Sequence, residues 1–390
     1  MTLPSTTARP ARSRAVVPTS LTYGLWFFGL GVYVPYFPIW LEARGFNAAT
    51  IGILLAIPMV VRIVAIAPIT QLGDRQLGTR RTFLYLASGA AFAYLGLMLT
   101  SDFLTVALAL AIIAMFTSPG VPVLDVLVLN GVTRHGFDYG KIRFWGSLSW
   151  LAANLAGGAL LGHLPPEVIP PFLAALAALS AIAGLALPRD GGPSHREEAA
   201  GVTAPSLRLV IVFAIGIAFI QGAHAFMLGF STLMWQRMGY SEPQIGFLWS
   251  IGIVIETIFF LWARTASRWL SPMPMILVGA AGGILRWTAM GFEPTSAVAI
   301  CLLQSSHFIT FAAVHLATMN WLGRYAVNRA TRSGWIASAI SAGMAASTIL
   351  SGQLYEAFGA AGFFAMALMS AAGFCCIALA ATIERREARA

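Results

Sequence analysis

Glu256 is the only charge in the nineteen-residue apolar run 245–263, IGFLWSIGIVIETIFFLWA, a length that can cross a hydrocarbon core as a helix. A carboxylate at that depth is costly against lipid, so it is expected to face a protein interior or a watered path. An echo of the run lies 194 residues earlier, where Gly45, Phe46, Ile51 and Gly52 match Gly239, Tyr240, Ile245 and Gly246. The same offset carries Arg62 onto Glu256, so opposite charges stand at matching depth. Asp125 follows Pro119, Gly120 and Pro122, a broken helix that would bring a second carboxylate into the membrane; a structural salt bridge is the alternative. Arg286 stands beside Trp287. The four charges Arg62, Asp125, Glu256 and Arg286 sum to zero, as paired charges in a low-dielectric interior would. A bound monoanion would add one negative charge and a co-bound proton would cancel it, which is the physical case for proton-coupled movement of a carboxylate.

Neutral polar residues repeat the pattern. Gln221 and His224 share their spacing with Gln304 and His307, and Phe311 and His315 follow on the same side of the second pair. At about 100° per residue, Gln304, His307, Phe311 and His315 fall within a quarter of the helix circumference, a stripe suited to a cavity wall. Each histidine has the alternative of an ordinary hydrogen bond between helices. Tyr23, Tyr33 and Tyr36 offer hydroxyls to a ligand or serve in packing. Density of Trp249, Trp262, Trp287, Phe226 and Phe311 suits an aromatic ligand, though aromatic lining is common in membrane bundles.

These residues must be held by a membrane bundle. The chain is 58% hydrophobic and 10% charged, with a mean hydropathy of +0.78, whereas an ordinary soluble domain is about a quarter charged. Apolar runs of helical length fall at 19–41, 50–72, 82–101, 103–128, 142–163, 169–188, 207–235, 243–264, 272–291, 295–320, 332–355 and 358–383. They predict an all-α protein of twelve transmembrane helices in two six-helix halves related by pseudo-two-fold symmetry. The divisions are a disordered cytoplasmic tail over 1–18, bundles over 19–188 and 207–383, a polar linker over 189–206 and a second cytoplasmic tail over 384–390. Setting aside Arg44, Arg237, Arg62 and Arg286, the remaining 20 of 24 basic residues fall at the termini and in alternate loops. That bias puts both termini in the cytoplasm and explains the net charge of +9 without a nucleic-acid partner. The three cysteines lie in apolar segments away from metal-ligand spacing and are expected to be buried small hydrophobes.

Two charged stretches sit at helix mouths. After the second run, Gly73-Asp74-Arg75-Gln-Leu-Gly78-Thr-Arg80-Arg81 could form ion pairs that latch one conformation, or simply anchor the chain at the cytoplasmic side. Before the fifth, Lys141 and Arg143 could gate the cytoplasmic mouth or meet headgroups. No phosphate-binding Gly-Lys-Ser loop, HExxH or CxxC occurs, so neither an enzyme nor an ATP-driven pump is expected.

The charged loop resembles the major facilitator superfamily pattern Gly-x-x-x-Asp-Arg-x-Gly-Arg-Arg at Asp74, Arg75, Gly78 and Arg81, with Thr70 in place of the first glycine and one residue inserted before Gly78. Across nearly the whole chain the sequence is similar to the 3-phenylpropionic acid permease family, in the lactose-permease-like branch. Carrying that similarity are Pro122-Val-Leu-Asp125, Asp138-Tyr-Gly-Lys-Ile-Arg143-Phe-Trp-Gly-Ser147, Gln221-Gly-Ala-His224, Leu248-Trp-Ser-Ile-Gly252, Arg286-Trp287 and the His307 to His315 stripe. The resemblance implies a proton symporter in which Asp125, Arg143, Glu256, Arg286 and His307 match the acidic, basic and histidine positions of the branch. Thr310 departs from it, standing where lactose permease has a proton-bearing glutamate. Proton carriage is then expected at Glu256, Asp125 or a histidine.

The reading is a multi-pass inner-membrane symporter, monomeric, with no cofactor beyond the proton gradient. It would move a small carboxylate, with an aromatic one such as 3-phenylpropionate favoured, by alternating access. Its partners are that substrate, protons and the lipid bilayer. The rivals are a nucleoside or sugar symporter and, from another class, a membrane sensor that binds ligand without transporting it.

Overall fold

The computed structural model describes residues 9–135, 138–188, 205–325 and 329–389. The described residues form helices joined by short turns, without strands. In chain order the helices are α1 (Arg9–Ala43), α2 (Ala48–Leu72), α3 (Thr79–Leu97), α4 (Phe103–Thr117), α5 (Gly120–His135), α6 (Tyr139–Leu161), α7 (Ile169–Gly184) and α8 (Leu207–Gly222). They continue with α9 (Ala225–Arg237), α10 (Glu242–Leu261), α11 (Ala263–Trp269), α12 (Pro272–Gly291), α13 (Ala297–Ser305), α14 (Val314–Gly323), α15 (Arg329–Phe358) and α16 (Phe363–Glu387). Wider π-helical turns occupy Gly73–Leu77 and Phe308–Ala313.

Nine stretches among the described residues are long and apolar enough to cross a membrane, against twelve expected runs. One of the nine, Arg332–Glu387, spans most of α15 and all of α16, which meet at a 3-10 turn over Gly359–Gly362. Helices α3 and α6 fall outside the nine, and both begin polar, α3 with Thr79-Arg80-Arg81 and α6 with Lys141 and Arg143. Helix α1 starts at Arg9, inside the stretch expected to be a disordered tail. Most of the linker, 189–204, lies outside the described residues.

The chain divides into two compact units, one of Met1–Trp40 with Val61–Ser194 and the other of Leu41–Val60 with His195–Ala390. In the first, α1 and α6 approach closely because each offers glycine at the contact. A Cβ on Gly31 would lie 2.8 Å from Ala153 Cβ, and one on Gly157 would lie 2.4 Å from the Tyr36 ring. In the second, α16 packs on α12 and α8, and α15 packs on α8 and α9. Its apolar core stacks Phe213 on Trp321 with ring centroids 3.9 Å apart. At the end of that core Trp321 Nε1 and Tyr325 Oη both donate to Glu384 Oε1 at 2.9 Å.

The cysteines correct one expectation. All three are free, but Cys375 is exposed on the outer face of α16 and Cys301 and Cys376 are only partly buried. Apolar flanks indicate membrane depth without telling which face of a helix meets lipid.

Candidate functional site

Three interruptions in otherwise regular helices position the functional side chains. The span holding α4 and α5 breaks at Ser118 and Pro119, as its prolines require, and α5 then carries Asp125. The span holding α8 and α9 breaks at Ala223 and His224. The span holding α13 and α14 breaks around Ser306, and the π-helical turn that follows begins just after His307. Both interior histidines thus occur where the backbone ladder is broken, a frequent location for functional groups.

In the first unit Asp125 Oδ1 accepts hydrogen bonds from Tyr23 Oη at 2.9 Å and Tyr139 Oη at 3.2 Å. Arg143 lies with its guanidinium carbon 4.8 Å from the Phe27 ring centre and 5.9 Å from that of Tyr23. It is exposed, with its charge over the two aromatic rings. Lys141 is exposed, 4.0 Å from Asp138, which also caps α6 by accepting from the Lys141 backbone N–H. Arg62 is exposed on α2. Tyr33 stacks on Phe37, and its buried hydroxyl makes no hydrogen bond among the described residues. Tyr36 donates to the Asn154 carbonyl, which is a packing role. Asp74 and Arg75 lie in the first π-helical turn with side chains outside the described set, and Arg81 is exposed.

The second unit brings together most of the remaining candidates around Arg286, which is 2% exposed. Its Nη1 donates to His307 Nδ1 at 3.0 Å and to Thr310 Oγ1 at 3.1 Å. Its Nη2 donates to Gln304 Oε1 at 2.9 Å and to Met227 Sδ at 3.1 Å. Its Nε–H is buried without a hydrogen bond among the described residues, as is the Trp287 Nε1–H. The guanidinium carbon stands 4.6 Å from the Trp287 ring centre. Every hydrogen-bond acceptor of this buried cation is therefore neutral, and one of them, a thioether, is weak.

A guanidinium only donates, so His307 Nδ1 must present its lone pair and the ring's proton sits on Nε2. That nitrogen points to Glu256 Oε2, 3.6 Å away. His307 then stacks on Phe311 at 5.1 Å, and Phe311 on His315 at 6.5 Å, with interplanar angles of 10° and 7°. The stripe on the tenth expected run is thus a column of rings leading from buried Arg286 to exposed His315. His224 is buried, with Nδ1 3.2 Å from the Ile220 carbonyl and Nε2 3.1 Å from Thr310 Oγ1. Gln221 is buried with its amide oxygen unbonded among the described residues. Thr310 and Met227 were not among the expected site residues. The departure from the permease pattern pointed to Thr310, but nothing in the spacing marks Met227.

A family model described as MFS_1 like family matches residues 17–366. The chain is 31% identical over 368 residues to a probable 3-phenylpropionic acid transporter of Escherichia coli (strain K12), covering 90% of this chain and 94% of that one. It is 29% identical over 295 residues to a maltose permease of Geobacillus stearothermophilus, covering 73% and 72%. Among solved structures, the nucleoside transporter NupG superposes with a TM-score of 0.78 at 14% identity, covering 94% of this chain and 98% of that one. A bacterial homologue of the human lysosomal transporter Spinster, inward-facing and occupied, gives 0.73 at 14% identity over 98% and 97%. At such identities the structures speak for the fold alone: an all-helical transporter fold.

Proposed function

We propose, from the premise that this chain belongs to the MFS_1-like family of membrane transporters, that it is a proton-coupled symporter of a small aromatic carboxylate, 3-phenylpropionate being the first to test. The observation that carries this reading is Arg286, a buried cation whose four hydrogen-bonded acceptors are all neutral. A buried cation whose direct hydrogen-bond acceptors are neutral favours an anion, and the adjoining Trp287, Phe311 and His307 rings favour an aromatic one. The probable 3-phenylpropionic acid transporter similar over 90% of this chain agrees with that chemistry. Glu256, one imidazole away from Arg286, is the acidic group best placed to exchange a proton when the anion arrives. In this reading twelve helices cross the inner membrane as two halves and both termini are cytoplasmic.

The family and the curated relatives similar to this chain are transporters rather than enzymes. A sugar or nucleoside symporter is the second reading, favoured by the maltose permease similarity. Purified protein in proteoliposomes decides between them. An inward-directed proton gradient should drive accumulation of labelled 3-phenylpropionate, and unlabelled aromatic acids should compete where maltose and nucleosides do not. Competition by maltose or nucleosides alone would replace the substrate assignment. Saturable binding without flux of any of them would make the protein a sensor.

A further inference from the structure

His224 and Thr310 form a hydrogen-bonded pair whose two possible proton arrangements are both complete. Carbonyl oxygens only accept, and His224 Nδ1 lies 3.2 Å from the Ile220 carbonyl and 3.3 Å from that of Gln221. The neutral ring therefore carries its proton on Nδ1 and presents a lone pair at Nε2. Thr310 Oγ1, 3.1 Å away, must then donate its single hydrogen to Nε2 while accepting from Arg286 Nη1. In the protonated ring Nε2 donates instead. Thr310 has a second lone pair to receive it, and its hydroxyl hydrogen can swing to the His307 carbonyl at 3.2 Å. One rotation of a hydroxyl thus lets His224 gain a proton without leaving any of these groups unbonded.

We infer that His224 is a proton-binding site of the transport cycle, with Thr310 as the rotating hydroxyl that makes its protonated and neutral forms equally well bonded. The inference rests on the carboxylate symport proposed above and names a carrier within it. His307 is placed less well to take a proton. Its Nδ1 already accepts from Arg286, so a proton there would set N–H against N–H and break that bond. His224 faces Arg286 from α12, His307 from the span of α13 and, beyond that ring, Glu256 from α10. Trp287 packs against it edge to face at 5.0 Å and Phe311 at 5.6 Å. From α15 the groups nearest the Gly222 end of α8 are Gly343 and Ser347, and from α16 the residue against Ile220 is Gly373, none of them titratable. A second positive charge beside Arg286 is opposed by Coulomb repulsion, and a bound carboxylate removes that opposition. Proton binding at His224 thereby becomes conditional on the anion, which is what coupling requires.

The test is proton uptake on adding 3-phenylpropionate to the purified full-length protein in weakly buffered detergent, read with a pH dye, while binding and folding are followed by thermal shift. Wild type should take up about one proton per acid bound. His224→Asn, which keeps a donor for the backbone carbonyls, should bind the acid with that uptake lost. Thr310→Val should show uptake per acid bound reduced several-fold, and Thr310→Ser should restore it. Undiminished uptake in His224→Asn overturns the inference and leaves symport standing through Glu256 or Asp125. If His224→Asn does not fold, the Thr310 pair decides alone: equal uptake in the Val and Ser variants overturns the hydroxyl's role. Acid binding to wild type without proton uptake overturns symport and this inference together, while failure to bind the acid removes the substrate reading and the inference with it.

Discussion

At Arg286 the hydrogen-bond inventory decides which substitution is informative. Four neutral acceptors hold the guanidinium, and replacing it by an amide removes the charge while leaving a polar group for Gln304 and Thr310 to meet. A hydrogen bond to a charged group is worth about 1.5–3 kcal/mol, so Arg286→Gln should weaken 3-phenylpropionate binding about tenfold to about a hundredfold and leave its neutral amide nearly unaffected. Isothermal titration with both ligands checks this, and equal loss for both would make Arg286 structural. Glu256 calls for a different measurement. Glu256→Gln fixes a neutral side chain at the end of the Arg286–His307 chain, so with the coupled proton on His224 it is expected to keep proton-driven accumulation, and loss of accumulation with substrate exchange retained in counterflow would put that proton on Glu256 instead. These residues were legible in the sequence because a charge in an apolar run stands out. Their partners were less so: the repeat aligns Glu256 with Arg62 in depth, and nothing in the spacing pairs it with His307, whose Nε2 lies 3.6 Å from Glu256 Oε2. A repeat offset conveys depth, and which side chains touch depends on how the helices pack.

Helix ends repay the same attention. Gly45 and Gly239, related by the 194-residue offset, have φ of 82° and 87° and close the same cap. Phe46 N–H donates to the Leu41 carbonyl, and Tyr240 N–H to that of Trp235, the two-bond helix stop that favours glycine. The sequence echo that the apolar runs displayed is therefore a shared turn as well. Breaks without proline were less legible: only Gly222 marks the one at Ala223-His224, and the π-helical turn after His307 has neither glycine nor proline but lies tight against α12, where a Cβ on Gly279 would lie 2.9 Å from the Ile309 carbonyl. Helix α4 gives a testable case of a polar start. Asp102 accepts from Leu104 N–H and Thr105 N–H, at 3.0 and 3.1 Å, and Thr105 Oγ1 donates to it at 2.7 Å. The Thr105 hydroxyl and backbone N–H hold its carboxyl below the ordinary range. A lowered folded-state value contributes stability above the unfolded-state value and loses it as the pH falls through the folded-state one. Asp102→Ala should therefore lower the unfolding temperature at neutral pH, with the gap to wild type narrowing in acid. A gap independent of pH would show that the charge of the cap is irrelevant.

Composition alone was enough to place the whole molecule among helical membrane proteins, but nothing in it assigned residues Leu41–Val60 to the second compact unit. What holds this tip there is partly polar. Glu356 accepts from Asn47 Nδ2 at 3.1 Å and from Ala49 N–H at 2.8 Å, at the start of α2, where a negative charge is favoured. Arg237 pairs with Glu42 at 3.1 Å while lying over the Tyr355 ring. Exposed pairs of this kind contribute about 0.2–1 kcal/mol each, too little to hold a seam through a transport cycle. The backbones also meet closely: a Cβ on Gly352 would lie 2.5 Å from the Ala48 carbonyl and 2.9 Å from Gly52 Cα. Forcing a side chain into such a space costs about 1–3 kcal/mol, more than either polar pair supplies. If alternating access parts this seam, Gly352→Trp should bias the protein toward the parted state. Ile51, 1% exposed, is the reporter. In a background with Cys301, Cys375 and Cys376 replaced by serine, Ile51→Cys should resist a membrane-impermeant maleimide and should label several-fold faster once Gly352→Trp is added. Saturating 3-phenylpropionate should raise labelling without the tryptophan if substrate binding permits the parted state. Equal labelling with and without the tryptophan would mean that the glycine contact is simply tight packing, and that the transport cycle opens elsewhere.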